Sequence, residues 1–266
     1  MPVLVTGAES GLGARVLQQL RLSGGQIRAY LDATVADADT AAALRATGCK
    51  VALGELDDEG HLEAALAQVH TVAHCWGGPL HDLEAQLNVA GTVASAALGA
   101  GVRRLVWVRE LAVDATNPYL ALLGQIGELF DELPIETVVF AVSLRHGIGD
   151  PLTARLAGGW LSGSGVDADA AHAPIDLDDV ARAVAVADRQ RGTARELHVR
   201  LGLRGPEEMS LREFLLRIGA PGLDGPAPVA PPPQWVVDWL SRPDGDGTSS
   251  LVPSVAHGVD RVPSSY

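Results

Sequence analysis

Short β-branched runs alternate with longer stretches of helical periodicity from Met1 to about residue 142, and this alternation limits the folds open to the chain more than any single motif does. Six runs have strand character: Val3–Thr6, Gln26–Leu31, Lys50–Leu53, Thr71–Cys75, Arg104–Val108 and Glu136–Val142. Helical patterns lie between them near Gly11–Ser23, Asp39–Thr47, Glu59–Gln68, Leu80–Gly99 and Pro118–Leu133. Most of the strand runs are apolar nearly throughout, as expected of strands covered on both faces and joined by right-handed crossovers. The predicted class is α/β: a doubly wound parallel sheet over residues 1–145, with a small C-terminal substrate-covering part over residues 146–266 integrated with it. In that second part the rhythm loosens. A helix at Asp178–Asp188, a strand at Glu196–Val199 and a helix at Glu207–Ile218 are expected, then an extended Pro-rich connection over Pro221–Pro233 and a short helix at Trp235–Leu240.

The formal net charge of −13 excludes a surface for nucleic acid or anionic lipid, because phosphate backbones are bound through clustered Lys and Arg. Cys49 and Cys75 are too few for a disulfide framework and lack metal-ligand spacing, which suits a reducing compartment. Met1 leads directly into the first strand, with no signal-like segment, and no run is long enough to span a bilayer. A cytoplasmic protein with a small-molecule substrate is expected, and a homodimer is left open.

The first strand ends in Thr6-Gly7-Ala8-Glu9-Ser10-Gly11-Leu12-Gly13, and a helix follows. Glycines at such a junction let the backbone turn sharply and approach a pyrophosphate closely, while the helix N-terminus offers its free N–H groups. The spacing is G-x-x-x-G-x-G, so a dinucleotide site is expected there. The acid that holds the adenosine ribose should lie about 20 residues further on. Asp32, 19 residues past Gly13 at the end of the second strand, fits. A carboxylate there repels a 2′-phosphate, which favours NAD while leaving NADP open. The other role for Asp32 is to cap a turn before Ala33-Thr34.

Taken together, these residues resemble the short-chain dehydrogenase/reductase superfamily, in particular its atypical and extended branch with the NmrA-like proteins. Gly54-Glu55-Leu56-Asp57-Asp58, Asn88-Val89-Ala90-Gly91-Thr92, Gly101-Val102-Arg103-Arg104-Leu105-Val106, Ile175-Asp176-Leu177-Asp178-Asp179-Val180-Ala181 and Gly205-Pro206-Glu207-Glu208-Met209-Ser210 each resemble a segment of that branch. The resemblance implies a Rossmann fold. It also implies that Gly7, Gly11, Leu12 and Gly13 carry the pyrophosphate, that Glu55 and Leu56 border the adenine, and that Ala73-His74-Cys75 passes the middle of the cofactor.

Reductases of that superfamily use a Tyr, a Lys four residues later that lowers the Tyr pKa, and a Ser that holds the substrate carbonyl. Tyr119 stands at the start of the right helix, but Leu123 occupies the Lys position, and the chain's single lysine is Lys50 in the third strand. Strand five ends Val108-Arg109-Glu110-Leu111 where the Ser is expected. Tyr119 is therefore either a proton carrier or an amphipathic aromatic at a helix start. His74, Glu110 and His146, near the carboxyl ends of strands, are candidate replacement acids or bases, each otherwise a solvated loop residue. Trp76, His81, Arg109 and Arg145 fall in the same region. Asp176, Asp178 and Asp179 read as helix caps and no metal is expected, while Trp235 and Trp239, four apart, read as a packing stripe.

Three functions remain compatible with these features. The first is an NAD(P)-dependent oxidoreductase or cofactor-assisted isomerase of small-molecule metabolism with a substituted active site. The second is a non-catalytic dinucleotide sensor. The third is a cofactor-independent enzyme using the same cleft.

Overall fold

The computed structural model describes residues 1–77, 82–111, 114–190, 197–223, 225 and 228–244. Three features expected from the sequence lie outside these residues: His81, the start of the fourth helix at Leu80, and the start of a strand at Glu196. The first strands and helices alternate strictly as β1 (Val3–Thr6), α1 (Gly11–Leu22), β2 (Ile27–Asp32), α2 (Ala38–Ala46), β3 (Lys50–Gly54), α3 (Glu59–Leu66), β4 (Thr71–His74), α4 (Leu83–Gly99), β5 (Arg104–Glu110), α5 (Pro118–Asp131) and β6 (Glu136–Val142). After them come β7 (Arg145–His146), α6 (Pro151–Ala157), β8 (Ala171–His172), β9 (Ile175–Asp176), α7 (Leu177–Arg189), β10 (His198–Leu203), β11 (Met209–Ser210), α8 (Leu211–Arg217) and α9 (Gln234–Leu240).

One seven-stranded sheet runs in the order β10-β6-β5-β4-β1-β2-β3. Strand β1 pairs in parallel with β2 on one side (Val5↔Ala29) and with β4 on the other (Val5↔Ala73), so the direction of winding reverses at β1. In a sheet of this kind, ligands bind beyond the carboxyl ends of the strands at such a reversal, which here falls between β1 and β4. The fold is the doubly wound α/β architecture expected from the alternation, since β1, β4 and β5 are buried along their whole length.

Two compact units divide the described residues. One comprises Met1–Val108, Gly124–Phe140 and Ala181–Arg200, and the other draws on Arg109–Leu123, Ala141–Val180 and the chain from Leu201 onward. In the first unit, α1 begins where the Ser10 hydroxyl accepts from the Gly13 N–H at 3.0 Å. Its Leu12, Val16, Leu17 and Leu20 are buried, and Gly24 takes φ +71° just beyond its end, the left-handed geometry that stops a helix. Arg104 is buried at 2% exposure because its guanidinium is fully engaged: Nε donates to Glu136 Oε2 at 2.8 Å, one terminal nitrogen to the Ala187 carbonyl, and the other to the Gln190 carbonyl at 3.1 Å.

The second unit carries two short ladders, β7 with β9 and β8 with β11. The helix expected over Glu207–Ile218 begins at Leu211 instead, capped by Ser210 Oγ on the Glu213 N–H at 3.2 Å, because Met209 and Ser210 pair with His172 and Ala171 in β8. Helix α6 had no counterpart in the sequence reading, although its signal was present: Asp150 caps the Thr153 N–H and Pro151 stands in the first turn. Asp244 fastens the last described residues. It accepts from Ser143 Oγ and from the Ala173 N–H (2.8 Å), stands 3.4 Å from His172 Nδ1, and donates its own N–H to the Ala171 carbonyl at 2.9 Å. No described helix is long and apolar enough to cross a membrane.

Candidate functional site

Strand β1 gives way to α1 through a loop whose glycines are set by sterics. Gly7 has φ +64°, and a Cβ placed on it would come within 2.6 Å of the Trp76 Cα. At Gly13 a Cβ would lie 2.1 Å from the Gly7 carbonyl oxygen, so the first turn of α1 rests directly on the backbone of the loop. Ser10 takes the Gly13 N–H, which leaves the Gly11 and Leu12 amides, both in the first turn, without an intrahelical acceptor. A pyrophosphate fits such a cradle because N–H groups and helix dipole both favour an anion there.

Asp32 ends β2 and is 4% exposed. Its Oδ1 accepts from the Thr34 N–H at 2.9 Å and from the Thr34 hydroxyl at 2.7 Å, while Oδ2 accepts from the Trp76 indole N–H at 3.0 Å. The turn-capping role is therefore present in the structure alongside the position expected of a ribose ligand. Glu9, within the glycine loop, accepts from the Asp32 N–H at 3.3 Å. Its pKa is raised above the usual carboxylate value, first by burial and further by the Asp32 charge, against hydrogen bonds that lower it.

Along the same edge, Tyr30 donates to the Glu55 carbonyl at 3.0 Å and lies 2.8 Å from His61 Nδ1. Its pKa is pushed up to about 12 by burial and by the acidic Asp58, Asp32, Asp57 and Glu55. Glu55 is exposed and Leu56 is buried at 2%; Ala73 is buried within β4.

The candidate proton carriers fall into different surroundings. His74 is buried in the first unit, with Nδ1 2.8 Å from Thr6 Oγ1 and its ring edge-on to Phe130. Burial lowers its pKa to about 4. A His depressed in this way stays neutral in the folded state while the unfolded chain takes up a proton, so its contribution to stability is lost as pH falls from about 6.5 towards 4. The full effect is on the order of 3 kcal/mol. Urea unfolding at pH 7 and pH 4.5 should show a larger loss in wild type than in His74→Gln; equal losses would contradict the assignment.

In the second unit, Tyr119 is 3% exposed and donates to Glu110 Oε2 at 2.8 Å, and the other oxygen of Glu110 accepts from Arg145 at 2.8 Å. Asn117 fixes this start of α5 by accepting from the Tyr119 and Leu120 N–H groups and donating to the Trp235 carbonyl at 2.9 Å. Trp235 stacks on the Tyr119 ring with centroids 4.6 Å apart, and Trp239 lies 5.9 Å away. Tyr119 thus has its hydroxyl on a carboxylate and its face under an indole. Its pKa is raised well above 10, mainly by burial, then by the Glu110 charge.

His146 is different. The β7–β9 register sets it beside Asp176, Nδ1 to Oδ2 at 3.8 Å, and both side chains keep substantial exposure at 32% and 44%. Its ring also lies against Phe214 at 5.9 Å. Asp176 caps as well, its Oδ1 accepting from the Asp178 N–H at 2.7 Å.

Two features escaped the sequence. Nothing in the local pattern joins Trp76 to Asp32, 44 residues apart, or shows that Glu9 turns towards β2.

Residues 7–130 match the profile of a family described as NAD(P)H-binding. Among curated proteins none matches the chain significantly. The fold is shared with solved structures at low identity. UDP-glucose 4-epimerase from Thermus thermophilus in complex with NAD is 18% identical with a TM-score of 0.63, covering 82% of each chain. A dTDP-glucose 4,6-dehydratase double mutant from Streptomyces venezuelae with NAD bound is 19% identical with a TM-score of 0.65, covering 83% of this chain and 82% of that one. A nucleoside-diphosphate-sugar epimerase from Staphylococcus aureus is 17% identical with a TM-score of 0.65, covering 82% of this chain and 76% of that one.

Proposed function

We propose that residues 7–130, which match the profile of a family described as NAD(P)H-binding, form a dinucleotide site, and that the protein binds NAD in preference to NADP and uses it for oxidoreductase or epimerase-like chemistry on a small molecule. The observation that carries the binding is the glycine cradle, where Gly13 has no room for a Cβ against the Gly7 carbonyl. Gly7, Gly11, Leu12 and Gly13 hold the pyrophosphate, Asp32 faces the adenosine ribose, and Glu55, Leu56 and Ala73 border the rest. The preference for NAD follows from two neighbouring carboxylates, Asp32 and Glu9, which repel a 2′-phosphate.

A bound nicotinamide supplies a reversible hydride acceptor. Proton transfer falls to the chain's own residues, and here the usual relay is disfavoured: Leu123 stands where the cation is needed, and a buried phenol with a raised pKa is a poor base at neutral pH. Of the four candidates Tyr119, His74, Glu110 and His146, only His146 combines an imidazole with an accessible side chain and a nearby carboxylate, Asp176. We assign His146 the acid/base role. The nucleotide-sugar epimerases and dehydratases that share the fold make sugar nucleotides the first substrates to try.

Calorimetry should find NAD binding at micromolar to millimolar concentration and NADP weaker by roughly tenfold or more. With a substrate in hand, His146→Ala should lower kcat by about 100-fold or more, with Tyr119→Phe the milder change. Binding of neither cofactor would remove the proposal, and activity lost in Tyr119→Phe but kept in His146→Ala would remove the acid/base assignment. The enclosure of Tyr119 by Glu110 and Trp235 favours a second reading, a dinucleotide sensor without turnover. Tight NAD binding with no reaction across carbonyl and sugar-nucleotide panels would select it.

A further inference from the structure

Trp76 stands where β4 hands over to the following loop, and its backbone is fixed there. The Cys75 N–H donates to the Thr6 carbonyl at 3.2 Å, and the Trp76 Cα sits so close to Gly7 that only a glycine fits beneath it. The side chain therefore has a fixed root and a single polar atom, the indole N–H, which donates to Asp32 Oδ2 at 3.0 Å. A carboxylate accepts about four hydrogen bonds. Asp32 already receives three, two from Thr34 on Oδ1 and one from Trp76 on Oδ2. The remaining acceptor position suffices for one hydroxyl, whereas a vicinal ribose diol needs two.

We propose that Trp76 is the internal competitor for the adenosine ribose: its indole N–H occupies Asp32 in the free protein and must turn away before the carboxylate can hold both hydroxyls of a dinucleotide. The assignment rests on the NAD-binding reading above and adds the residue that sets its affinity. Without the indole, Asp32 in the free protein would keep only the Thr34 donors while facing the Glu9 carboxylate, so the N–H stabilises a carboxylate that burial removes from water. A ribose that displaces the indole has to replace that hydrogen bond before it gains anything, and this lowers the apparent affinity for the cofactor.

Trp76→Phe removes the N–H and keeps an aromatic ring in place. The probes are NAD, AMP, 2′,3′-dideoxy-AMP and inorganic pyrophosphate, titrated by calorimetry into wild type and variant. NAD and AMP should bind the variant roughly tenfold more tightly. Dideoxy-AMP, which has no diol, and pyrophosphate, which touches only the glycine cradle, should bind both proteins equally. A gain shared by dideoxy-AMP would mean that the variant merely opens the site, and weaker binding of AMP would make the indole a wall of the pocket; either result overturns the proposal, as does unchanged AMP affinity.

If neither protein binds any of the four probes, the dinucleotide reading itself falls, an outcome distinct from equal binding by both. Should Trp76→Phe fail to fold, hydrogen exchange of the indole N–H groups in 15N-tryptophan-labelled wild type gives the same answer. One indole protected in the free protein should lose its protection with AMP and keep it with pyrophosphate; protection unchanged by AMP would overturn the proposal.

Discussion

Gly13→Ala is expected to abolish measurable NAD binding and to destabilise the fold. The new methyl carbon would lie 2.1 Å from the Gly7 carbonyl oxygen, 2.8 Å from its carbon and 2.9 Å from the Ala8 Cα, all of them backbone atoms that cannot rotate aside. The contact is relieved only if α1 moves off β1, and that movement carries the Gly11 and Leu12 amides away from the anion they would hold. Overpacking of this kind costs about 1–3 kcal/mol or more. At roughly 2–4 °C per kcal/mol for a chain of this size, unfolding should begin several degrees earlier. NAD affinity should fall by at least about 100-fold, because phosphate binding to backbone donors tolerates little displacement. Gly91→Ala is the control: it lies within α4 with nothing inside 4 Å of the added carbon, so binding should persist and stability should hold or rise by up to about 1 kcal/mol. Undiminished NAD binding by Gly13→Ala, measured by calorimetry, would remove the glycine loop as the phosphate site.

Glu110→Ala should be among the most destabilising single changes, in spite of its place among the candidate catalytic residues. The carboxylate joins the buried Tyr119 hydroxyl to Arg145, with 8% of its side chain exposed against 20% for the arginine. Removing it withdraws the acceptor of a buried phenol and takes the carboxylate from Arg145, a loss of about 3–5 kcal/mol for a buried pair. The midpoint of thermal unfolding should drop by roughly 10 °C. Tyr119→Phe, which deletes one donor and keeps the stacking on Trp235, should cost only about 1 kcal/mol. A solvated acid/base would behave in the opposite way, altering turnover with little effect on stability. Denaturant unfolding of the two variants separates the cases, and a Glu110→Ala protein within about 0.5 kcal/mol of wild type, the ordinary scatter of surface changes, would exclude the structural role.

The strands were legible because their signal is short-range. Val3–Thr6 and Glu136–Val142 read from the sequence with the bounds they have in the fold, and Ile27–Asp32 begins and ends one residue later than expected. A run of apolar residues between helical periods has few other uses in a chain of this kind. Bounds failed where a partner far along the chain decides them. The helix read as Glu207–Ile218 starts at Leu211 because residues 209 and 210 pair with β8. Asp32 was legible as a position, nineteen residues past Gly13, and its two expected roles could not be separated. Thr34 and Trp76 both bind it, and only the Thr34 contact is local.

The sequence by itself determined the doubly wound sheet and the glycine turn, since both depend on periodicity and on backbone sterics within a few residues. The absence of Lys and Ser from their usual places was equally plain, because it is a matter of residue identity. Tertiary structure alone decided which of the polar candidates are buried and which partners they meet. Packing buries His74 against Phe130, encloses Tyr119 between Glu110 and Trp235, turns the Trp76 indole onto Asp32, and leaves His146 beside Asp176 with its side chain partly exposed. Each of these outcomes joins residues distant in the chain, and the free energy of a charge or a proton is set by such neighbours and by access to water, neither of which is written in local sequence.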